Sequence, residues 1–424
     1  MITRAKPAKS EKGSHNVTVV GAGIIGVCTA LYLLRDGHRV TLIDRQAPGE
    51  GASFGNGSVI PTESVIPVQT PGILRRVPAM LLDPQGPLSL RWSYLPRLAP
   101  WLLRFVAAST TQRVEEISRS LAALLDGVVE AYEPLLEMAD AQDMLRRTGW
   151  VCVYESEKGF QAQAAMLELQ RRRGVRFQVL TPAELRQLEP ALAPIFPRAV
   201  FYPDVAYTVN NFRLVQLLAE TFQRHGGRLL RAEARGFEIG DAGPRAVLSD
   251  LGRHETDAVV VAAGAWSKPL SAQLGSRPPL DTERGYHQHL PEPGVMPRLP
   301  VYSTERGIVC APLEHGLRIA GTVELGGLKA PPNWKRAEVL LTHARRWLPG
   351  IAEQGASRWM GFRPSMPDSV PVISASPHYP NAYFAFGHGH CGHGLGAKTG
   401  RLIADMVAGR DPGLDMTPYR VDRF

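Results

Sequence analysis

Cysteine and long apolar runs are both scarce in this chain. The four cysteines are Cys28, Cys152, Cys310 and Cys391, and no two of them form a C-x-x-C pair. This usage excludes a disulfide framework and fits a reducing compartment. No uninterrupted apolar run approaches the ~18 residues of a membrane span. Residues 1–15 lack the apolar stretch of a secretory signal, so we expect a disordered tail there and a cytoplasmic protein.

A concentrated basic stripe is also missing. The net charge is +8, but the basic residues are scattered and are not interleaved with aromatic residues, so no nucleic-acid partner is predicted. Attraction of an anionic substrate or of an acidic membrane surface fits this charge better. With 44% hydrophobic residues, a chain of 424 residues suffices for two joined domains.

A strand–turn–helix–strand pattern near the amino terminus predicts a dinucleotide site. Val17–Val20 is a β-branched run, and Gly21, Gly23 and Gly26 form G-x-G-x-x-G where it enters a helix. Such glycines permit a tight turn, close backbone approach to a pyrophosphate and close helix–strand packing. Asp44 ends the next strand, where a carboxylate accepts the hydroxyls of an unphosphorylated ribose. Adjoining residues predicted to contact the dinucleotide are Ile24, Ile25 and Arg45.

Two further segments are predicted to touch the same dinucleotide. The glycine-rich loop 49–58 follows the ribose-binding strand, and it is either a flexible surface loop or a backbone folded over the ligand. A second buried strand breaks at Gly264, which lets the backbone approach from another side. The residues predicted to make these contacts are Ser53, Asn56, Gly57, Ala263, Gly264 and Trp266.

The segment 387–394 also fits G-x-G-x-x-G, but too few residues follow it for a second dinucleotide domain. We therefore predict a helix N-terminus aimed at the ring end of the one dinucleotide. The residues predicted to make this contact are Gly389, His390, Gly392, Gly394 and Leu395. The cluster of His388, His390, Cys391 and His393 suggests a metal. Alternating positions in a glycine loop give poor tetrahedral geometry, so no metal is predicted.

Arg363 and Tyr286 are candidates for binding a substrate. Arg363 precedes Pro364, which fixes the backbone, and a rigidly held guanidinium suits bidentate capture of a carboxylate. An ordinary surface arginine is the simpler alternative. Tyr286 either donates a hydrogen bond to the same substrate or packs in the core.

Three longer segments bear on the organisation of the chain. Residues 92–108 combine tryptophan, leucine, proline and arginine, and form either an interfacial membrane anchor or a helix packed on its own domain. Apolar residues at helical spacing predict one long core helix over 118–146. Short strands between 285 and 322 predict an antiparallel sheet that forms the floor of a substrate domain.

In combination these motifs resemble the D-amino-acid oxidase-like family of FAD-dependent oxidoreductases. The likeness is greatest to bacterial D-amino-acid dehydrogenases, including those acting on D-proline and hydroxy-D-proline. It implies an α/β fold in which a glutathione-reductase-like Rossmann FAD-binding domain is joined to a mixed antiparallel-sheet substrate domain. The implied FAD-binding domain comprises residues 16–90, 200–275 and 355–424, and the substrate domain comprises 91–199 and 276–354. The segments that carry the resemblance are 21–26, 51–57, 259–267, 361–371 and 387–390.

The resemblance implies oxidative deamination of a D-amino or imino acid, with hydride transfer from Cα to flavin N5 and electrons passed to a quinone-type acceptor. Arg363 matches the carboxylate-binding arginine, and Gly389 begins the segment whose backbone meets the isoalloxazine. His390 is a candidate for tuning the substrate ammonium or the flavin. A glycine/sarcosine-type oxidase that uses O₂ and an FAD-bearing subunit of a heteromeric complex stay open. An oligomer and peripheral contact with the inner face of the cell membrane through 92–108 are further expectations.

Overall fold

The structure, a computed structural model, describes residues 14–424 apart from the side chain of Arg76. The expected tail over 1–15 lies outside the described residues except for Ser14 and His15. The His15 carbonyl accepts a hydrogen bond from the Arg39 N–H at 2.9 Å, so this end is tied to the second strand.

The strands of the described chain, in order, are β1 Asn16–Val20, β2 Arg39–Asp44, β3 Val59–Ile60, β4 Leu88–Leu90, β5 Leu145–Arg146, β6 Trp150–Tyr154, β7 Gln178–Leu180, β8 Arg198–Tyr202, β9 Ala206–Thr208, β10 Arg228–Arg231, β11 Ala234–Gly240, β12 Gly243–Ser249, β13 Gly252–Glu255, β14 Ala258–Val261, β15 Asp281–Leu290, β16 Val301–Ser303, β17 Ile308–Leu313, β18 Gly316–Leu325, β19 Ser357–Ser365, β20 Val372–Ala375 and β21 Ala382–Phe386. The α-helices are α1 Ile24–Arg35, α2 Ile73–Leu82, α3 Leu95–Ala107, α4 Thr111–Leu125, α5 Glu133–Ala139, α6 Glu157–Gln161, α7 Ala164–Arg172, α8 Pro182–Leu188, α9 Asn211–Arg224, α10 Ser267–Gln273, α11 Lys335–Trp347 and α12 Gly392–Val407.

A six-stranded Rossmann sheet has the order β10-β2-β1-β14-β21-β20. All neighbours in it are parallel except β20 and β21. Its central strands are continuous apolar runs because both faces are covered. Helices α1, α9 and α12 pack on one face, and the strands β11 and β12 pack with α10 on the other. Helices α1 and α12 pack closely, since a Cβ atom on Gly400 would lie 2.7 Å from the Cys28 carbonyl carbon. The carboxyl ends of β1, β2, β14 and β21 therefore meet at one edge, where open α/β sheets bind ligands.

A nine-stranded mixed sheet has the order β19-β15-β18-β17-β16-β6-β8-β7, and β4 pairs with β18. Most of its pairs are antiparallel, which confirms the antiparallel sheet expected over 285–322. One face packs against α11, with Trp347 fully buried there. The opposite face carries aromatic side chains, among them Trp150 and Tyr302, which stack with their ring centroids 5.1 Å apart. Two three-stranded sheets, β11-β12-β13 and β3-β9-β5, complete the arrangement.

Two expectations from the sequence differ from the structure. The single helix predicted over 118–146 is wrong: the chain forms α4 and α5 separately, because Gly127 adopts a φ of +64° and Pro134, which suits only the first turn of a helix, lies in the first turn of α5. Strand β19, which the implied domain boundaries assign to the FAD-binding domain, is hydrogen-bonded into the nine-stranded sheet. Arg363 therefore lies on an edge strand of the nine-stranded sheet, opposite Glu283 of β15.

Among the described residues, no helix combines the length and the apolar character that crossing a bilayer requires. Residues 92–108 fold as a short 3-10 turn followed by α3. Leu98 and Trp101 on α3 are buried, whereas Trp92 is 69% exposed and Leu103 is 73% exposed. The segment therefore packs on its own domain through one face and leaves apolar side chains on the other.

Candidate active site

A cavity of about 1120 Å³ is lined by the carboxyl edge of the Rossmann sheet and by the aromatic face of the nine-stranded sheet. Ligand sites of about 300–1,000 Å³ hold drug-sized molecules. This volume therefore leaves room for an extended dinucleotide and a small substrate together.

The predicted glycine turn forms a cradle at one end of this cavity. Gly21 has a φ of +113°, and a Cβ atom there would overlap the Ala262 carbonyl group. A Cβ atom on Gly26 would overlap the Gly21 carbonyl oxygen. Gly23 precedes the first turn of α1, and both it and Ile24 line the cavity. Only glycine fits where the backbone segments approach each other this closely. The cradle therefore presents backbone N–H groups and the N-terminus of α1 to a ligand.

Asp44 lies beside the cradle, as predicted. Its Oδ2 accepts a hydrogen bond from the Ala22 N–H at 2.7 Å, and its Oδ1 accepts one from the Gln46 N–H at 2.9 Å. These bonds fix the carboxylate at the end of β2, where it lines the cavity. A carboxylate held in this way suits a ribose diol.

The loop 49–58 folds against the cradle. Ser53 Oγ accepts a hydrogen bond from the Ile24 N–H at 3.0 Å, which caps α1 from outside the helix. Asn56 Oδ1 accepts one from the Ser58 N–H at 2.9 Å, so this side chain shapes the loop itself. Ser53, Asn56 and Gly57 all line the cavity.

Residues after β2 and β14 form another part of the cavity wall near Asp44. The Arg45 guanidinium lies over the Trp266 ring, 4.4 Å from its centroid. Predicted contact residues that line the cavity here are Ile25, Arg45, Ala263, Gly264 and Trp266.

The segment 387–395 reaches the cavity through its first part only. Gly389, with a φ of +54°, lines it together with His390 and Gly392. A Cβ atom on Gly394 would meet Pro61 Cδ at 2.7 Å, and Leu395 is 1% exposed in the core. Gly394 and Leu395 therefore lie behind the cavity wall, since the first turn of α12 rotates them towards β3.

Two of the four clustered residues, His388 and His393, have separate environments. His388 Nε2 lies 3.0 Å from Thr399 Oγ1, and His393 Nε2 lies 2.8 Å from Thr208 Oγ1. Burial lowers the pKa of His388 to about 3 and that of His393 to about 4. Both are therefore neutral structural side chains at physiological pH. In the described chain, no group of three or more His, Cys, Asp and Glu side chains is arranged to hold a metal.

Arg363 enters the cavity from β19. Its Nη1 donates a hydrogen bond to the Thr322 carbonyl at 3.0 Å, and its Nη2 lies 3.5 Å from the Gly321 carbonyl. A Cβ atom on Gly285 would overlap the guanidinium, so this glycine makes the space for it. Burial lowers the pKa of Arg363, and the nearby Glu283 and Tyr302 oppose that change. A guanidinium has five N–H donors, so this placement leaves donors free for a ligand carboxylate.

Glu283 is a site residue that the sequence analysis missed. It lies opposite Arg363 across β15 and β19, is 7% exposed, and its Oε2 is 2.9 Å from His390 Nε2. Burial opposes its ionisation, but His390 and Arg363 outweigh burial and lower the pKa of this carboxyl. An isolated β-bridge between Ser365 and His388 joins the two segments that bring these groups together. The sequence did contain one indication of this residue. Glu283 and Gly285 are two positions apart, so on a strand the acid and a residue without a side chain lie on the same face.

Tyr286 lies on the opposite face of the same strand and is not part of the cavity wall. It is 1% exposed, its hydroxyl donates to Glu324, and it accepts a hydrogen bond from the Asn333 N–H at 2.9 Å. The structure thus favours the core alternative for Tyr286. Strand alternation explains the outcome, because Glu283 and Gly285 occupy the cavity face.

The far part of the cavity has mainly aromatic walls. The side chains that form them are Trp101, Phe105, Trp150, Tyr154, Tyr202 and Tyr302. Trp101 Nε1 donates to the Ser365 carbonyl at 3.2 Å, which fastens α3 to the strand that carries Arg363. Glu63 lines the same region, and nothing in the sequence distinguished it from an ordinary loop acid.

Comparison with known proteins agrees with this geometry. The family described as "DAO: FAD dependent oxidoreductase" matches residues 16–406. A D-amino-acid oxidase of Bradyrhizobium diazoefficiens is 39% identical over 97% of this chain and 99% of its own. D-amino acid dehydrogenase 2 of Ralstonia nicotianae is 33% identical over 96% of this chain and 100% of its own.

Solved structures share the fold at lower identity. L-proline dehydrogenase from P. horikoshii superposes with a TM-score of 0.73 at 20% identity, covering 97% of this chain and 98% of its own. Glycine oxidase from Geobacillus kaustophilus has a TM-score of 0.72 at 21% identity, covering 97% and 100%. The backbone cradle at Gly21 and Gly26, with Asp44 beside it, fits the adenine-dinucleotide half of FAD. This chain belongs to the DAO family of FAD-dependent oxidoreductases, and its cofactor is FAD.

Proposed function

We propose that this enzyme oxidises a D-amino or imino acid to the corresponding imine, which water then hydrolyses. The observation that carries the proposal is the position of Arg363 in the same cavity as the dinucleotide cradle. The relatives named D-amino-acid oxidase and D-amino acid dehydrogenase support the D-amino acid class. D-Proline and hydroxy-D-proline belong to the substrates that we would test first.

Arg363 orients the substrate through its carboxylate. Because the Thr322 and Gly321 carbonyls hold the guanidinium, a carboxylate bound to it is fixed in position, and such positioning supplies much of the rate in bimolecular reactions. The aromatic walls exclude water from the reacting carbon. FAD, when bound, supplies the acceptor for the hydride that leaves Cα.

His390 handles the proton of the substrate ammonium in this scheme. Its Nε2 is held by Glu283 at 2.9 Å, so the ring is oriented while its side chain stays 44% exposed. A histidine in contact with both cavity and solvent can take a proton from an ammonium group and release it. The substrate amine is then neutral when Cα is oxidised.

We further propose a quinone-type acceptor at a membrane surface. Helices α2 and α3 line the cavity with Ile73, Val77, Met80, Leu102 and Phe105. Large apolar residues are exposed on both helices, Leu74 at 54% and Leu82 at 83% on α2 and Leu103 at 73% on α3, and Trp92, shortly before α3, is 69% exposed. Apolar and basic side chains on short helices suit the headgroup boundary.

Anaerobic bleaching of the flavin tests the proposal. The panel is D-amino acids, D-proline, hydroxy-D-prolines, sarcosine and glycine, with L-amino acids as controls. Bleaching by a D-substrate is expected, and the absence of bleaching by every D-substrate would refute the proposal. Fast reduction of a quinone analogue with little peroxide distinguishes a dehydrogenase from a glycine/sarcosine-type oxidase. Bleaching that requires an added partner protein would favour the heteromeric alternative.

Flotation with lipid vesicles tests the membrane contact separately. Wild-type protein is expected to float with vesicles that contain anionic lipid, and the double variant Trp92→Ser/Leu103→Ser is expected to stay in solution. Equal partitioning of the two proteins would remove this surface from the proposal.

A further inference from the structure

Glu63 is an acid that the scheme above does not use. It follows β3 in the segment after the glycine-rich loop, lines the cavity, and is only 4% exposed. Burial raises the pKa of Glu63 to about 7, against hydrogen bonds from its own backbone N–H and from Ser64. A carboxyl in this state is costly to ionise unless a ligand supplies a partner.

One carboxyl oxygen of Glu63 lacks a partner. Oε1 accepts a hydrogen bond from Ser64 Oγ at 2.9 Å, whereas Oε2 has no hydrogen-bond partner among the described residues. The ion pairs of the described chain do not include Glu63 either. Buried polar groups in proteins are nearly always satisfied, so this unpaired oxygen, on a residue that lines the cavity, is a candidate for pairing with a group of a ligand.

The backbone of Glu63 is held firmly. Its carbonyl accepts hydrogen bonds from Gln170 Nε2 at 3.0 Å and from the Val65 N–H at 2.8 Å. Gln170 is itself fixed, because its Oε1 accepts a hydrogen bond from the Tyr202 hydroxyl at 2.9 Å. The fixed backbone and the hydrogen bond from Ser64 Oγ to Oε1 together give the carboxyl a defined position, as a recognition group requires.

Glu63, Arg363 and Tyr302 line the same cavity, and both charged residues are close enough to Tyr302 to affect its phenol. Burial raises the pKa of Tyr302, the nearby Cys152 and Glu63 raise it further, and Arg363 lowers it. Both charges thus act on the same phenol from within one cavity. A ligand that binds Arg363 through a carboxylate therefore lies in the same cavity as the carboxyl of Glu63.

We propose that Glu63 recognises the side chain of the substrate, and that the preferred substrates are D-amino acids whose side chains end in a cationic nitrogen, such as D-lysine, D-ornithine or D-arginine. This inference rests on the proposed amino-acid oxidation. A cation supplies both the hydrogen-bond donor that Oε2 lacks and the charge that stabilises the carboxylate. The aromatic walls offer an apolar surface for the methylene groups of such a side chain. Lysine stems pack along apolar surfaces in proteins in the same way.

A binding experiment tests this without turnover. Holoenzyme is titrated with 4-aminobutanoate, 5-aminopentanoate and 6-aminohexanoate and with the corresponding plain alkanoates, and the flavin absorbance is followed. We expect at least one amino acid of this series to bind about ten-fold more tightly than its alkanoate. Glu63→Gln should abolish that preference while alkanoate binding stays unchanged. Glu292→Gln, which removes an exposed acid, is the matched control.

Kinetics with a substrate panel complete the test. For wild-type enzyme, kcat/KM is expected to be about ten-fold higher for D-lysine than for D-norleucine, and Glu63→Gln should lower only the value for D-lysine. Equal loss for D-alanine, D-norleucine and D-lysine would place Glu63 at the amino group and overturn the inference, as would equal binding of amino acids and alkanoates. Failure of every D-amino acid to bleach the flavin would instead refute the proposed function, and the binding series would still report on Glu63.

Discussion

Glu283 and Arg363 lie directly opposite each other on neighbouring antiparallel strands, and both side chains face the cavity. The pair brings a buried carboxylate next to a guanidinium that keeps donors free for a ligand. His390 extends the arrangement, because its Nε2 is 2.9 Å from Glu283 Oε2. Opposite charges placed across a strand pair stabilise each other, so the Arg363 guanidinium is already oriented when no ligand is bound.

Replacement of Arg363 by lysine should raise KM for carboxylate substrates about 100-fold, because the flexible ammonium loses the planar fork and its fixed position. The FAD content should stay unchanged, since Arg363 lies away from the glycine cradle. Steady-state kinetics on the purified holoenzyme measures the effect. Arg358→Lys, on the same strand with a half-exposed side chain, is the control. An unchanged KM for Arg363→Lys would remove this residue from the site.

Gly285→Ala should impair substrate binding without touching any substrate atom. A Cβ atom at this position would overlap the Arg363 guanidinium, so the arginine must leave its place between the strands. We expect KM to rise about ten-fold or more, with normal FAD content. Gly240→Ala serves as the control, because a Cβ atom there meets only ordinary contacts, with Arg245 Cδ at 3.4 Å. Equal kinetics for the two variants would show that the space at Gly285 has no functional role.

The sequence predicted the parts of the site that depend on local geometry. The G-x-G-x-x-G turn, Asp44 and the loop with Ser53 lie where the pattern places them, since a strand–turn–helix unit is specified by neighbouring residues. The pairing of Glu283 with Arg363 was not predictable, because strand register between distant segments depends on tertiary packing. Tyr286 illustrates the same limit, since the choice of strand face decided between cavity and core. Glu63 was missed because its burial comes from contacts with other elements, such as Gln170.

Replacement of His390 by glutamine should shift the acidic limb of the pH dependence of alkanoate binding to higher pH, and this binding involves no ammonium proton. In the native protein His390 and Arg363 lower the pKa of Glu283 against the effect of burial. A lowered pKa keeps the carboxylate charged down to acidic pH. Without His390, less positive charge opposes the effect of burial, so the pKa of Glu283 rises and the carboxyl becomes protonated at a higher pH. Titrations of wild-type and variant holoenzyme with a plain alkanoate at several pH values, followed by flavin absorbance, report the shift, and the exposed His378→Gln variant is the control. Superimposable profiles would show that the two groups are not coupled.

Glu63→Gln should stabilise the substrate-free protein at pH 8 and have little effect at pH 5. Burial raises the pKa of Glu63 to about 7 from an ordinary value of 4.5, so the native state binds this proton more tightly than the unfolded chain does. The corresponding stability is complete below the unfolded pKa and is lost as the pH rises through about 7. A buried carboxylate with this pKa costs about 3 kcal/mol when ionised, and a neutral glutamine avoids that cost.

Denaturant unfolding of both proteins at pH 5, 6, 7 and 8 measures this difference. The advantage of Glu63→Gln should grow with pH and level off above the native pKa, whereas Glu292→Gln should show no such trend. Addition of an aminoalkanoate at pH 8 should narrow the gap, because its ammonium pairs with the wild-type carboxylate and stabilises only the folded state that binds it. A stability difference that does not depend on pH would mean that Glu63 is already ionised and paired in the native protein. Glu63 would then be excluded as a free recognition group for a cationic side chain.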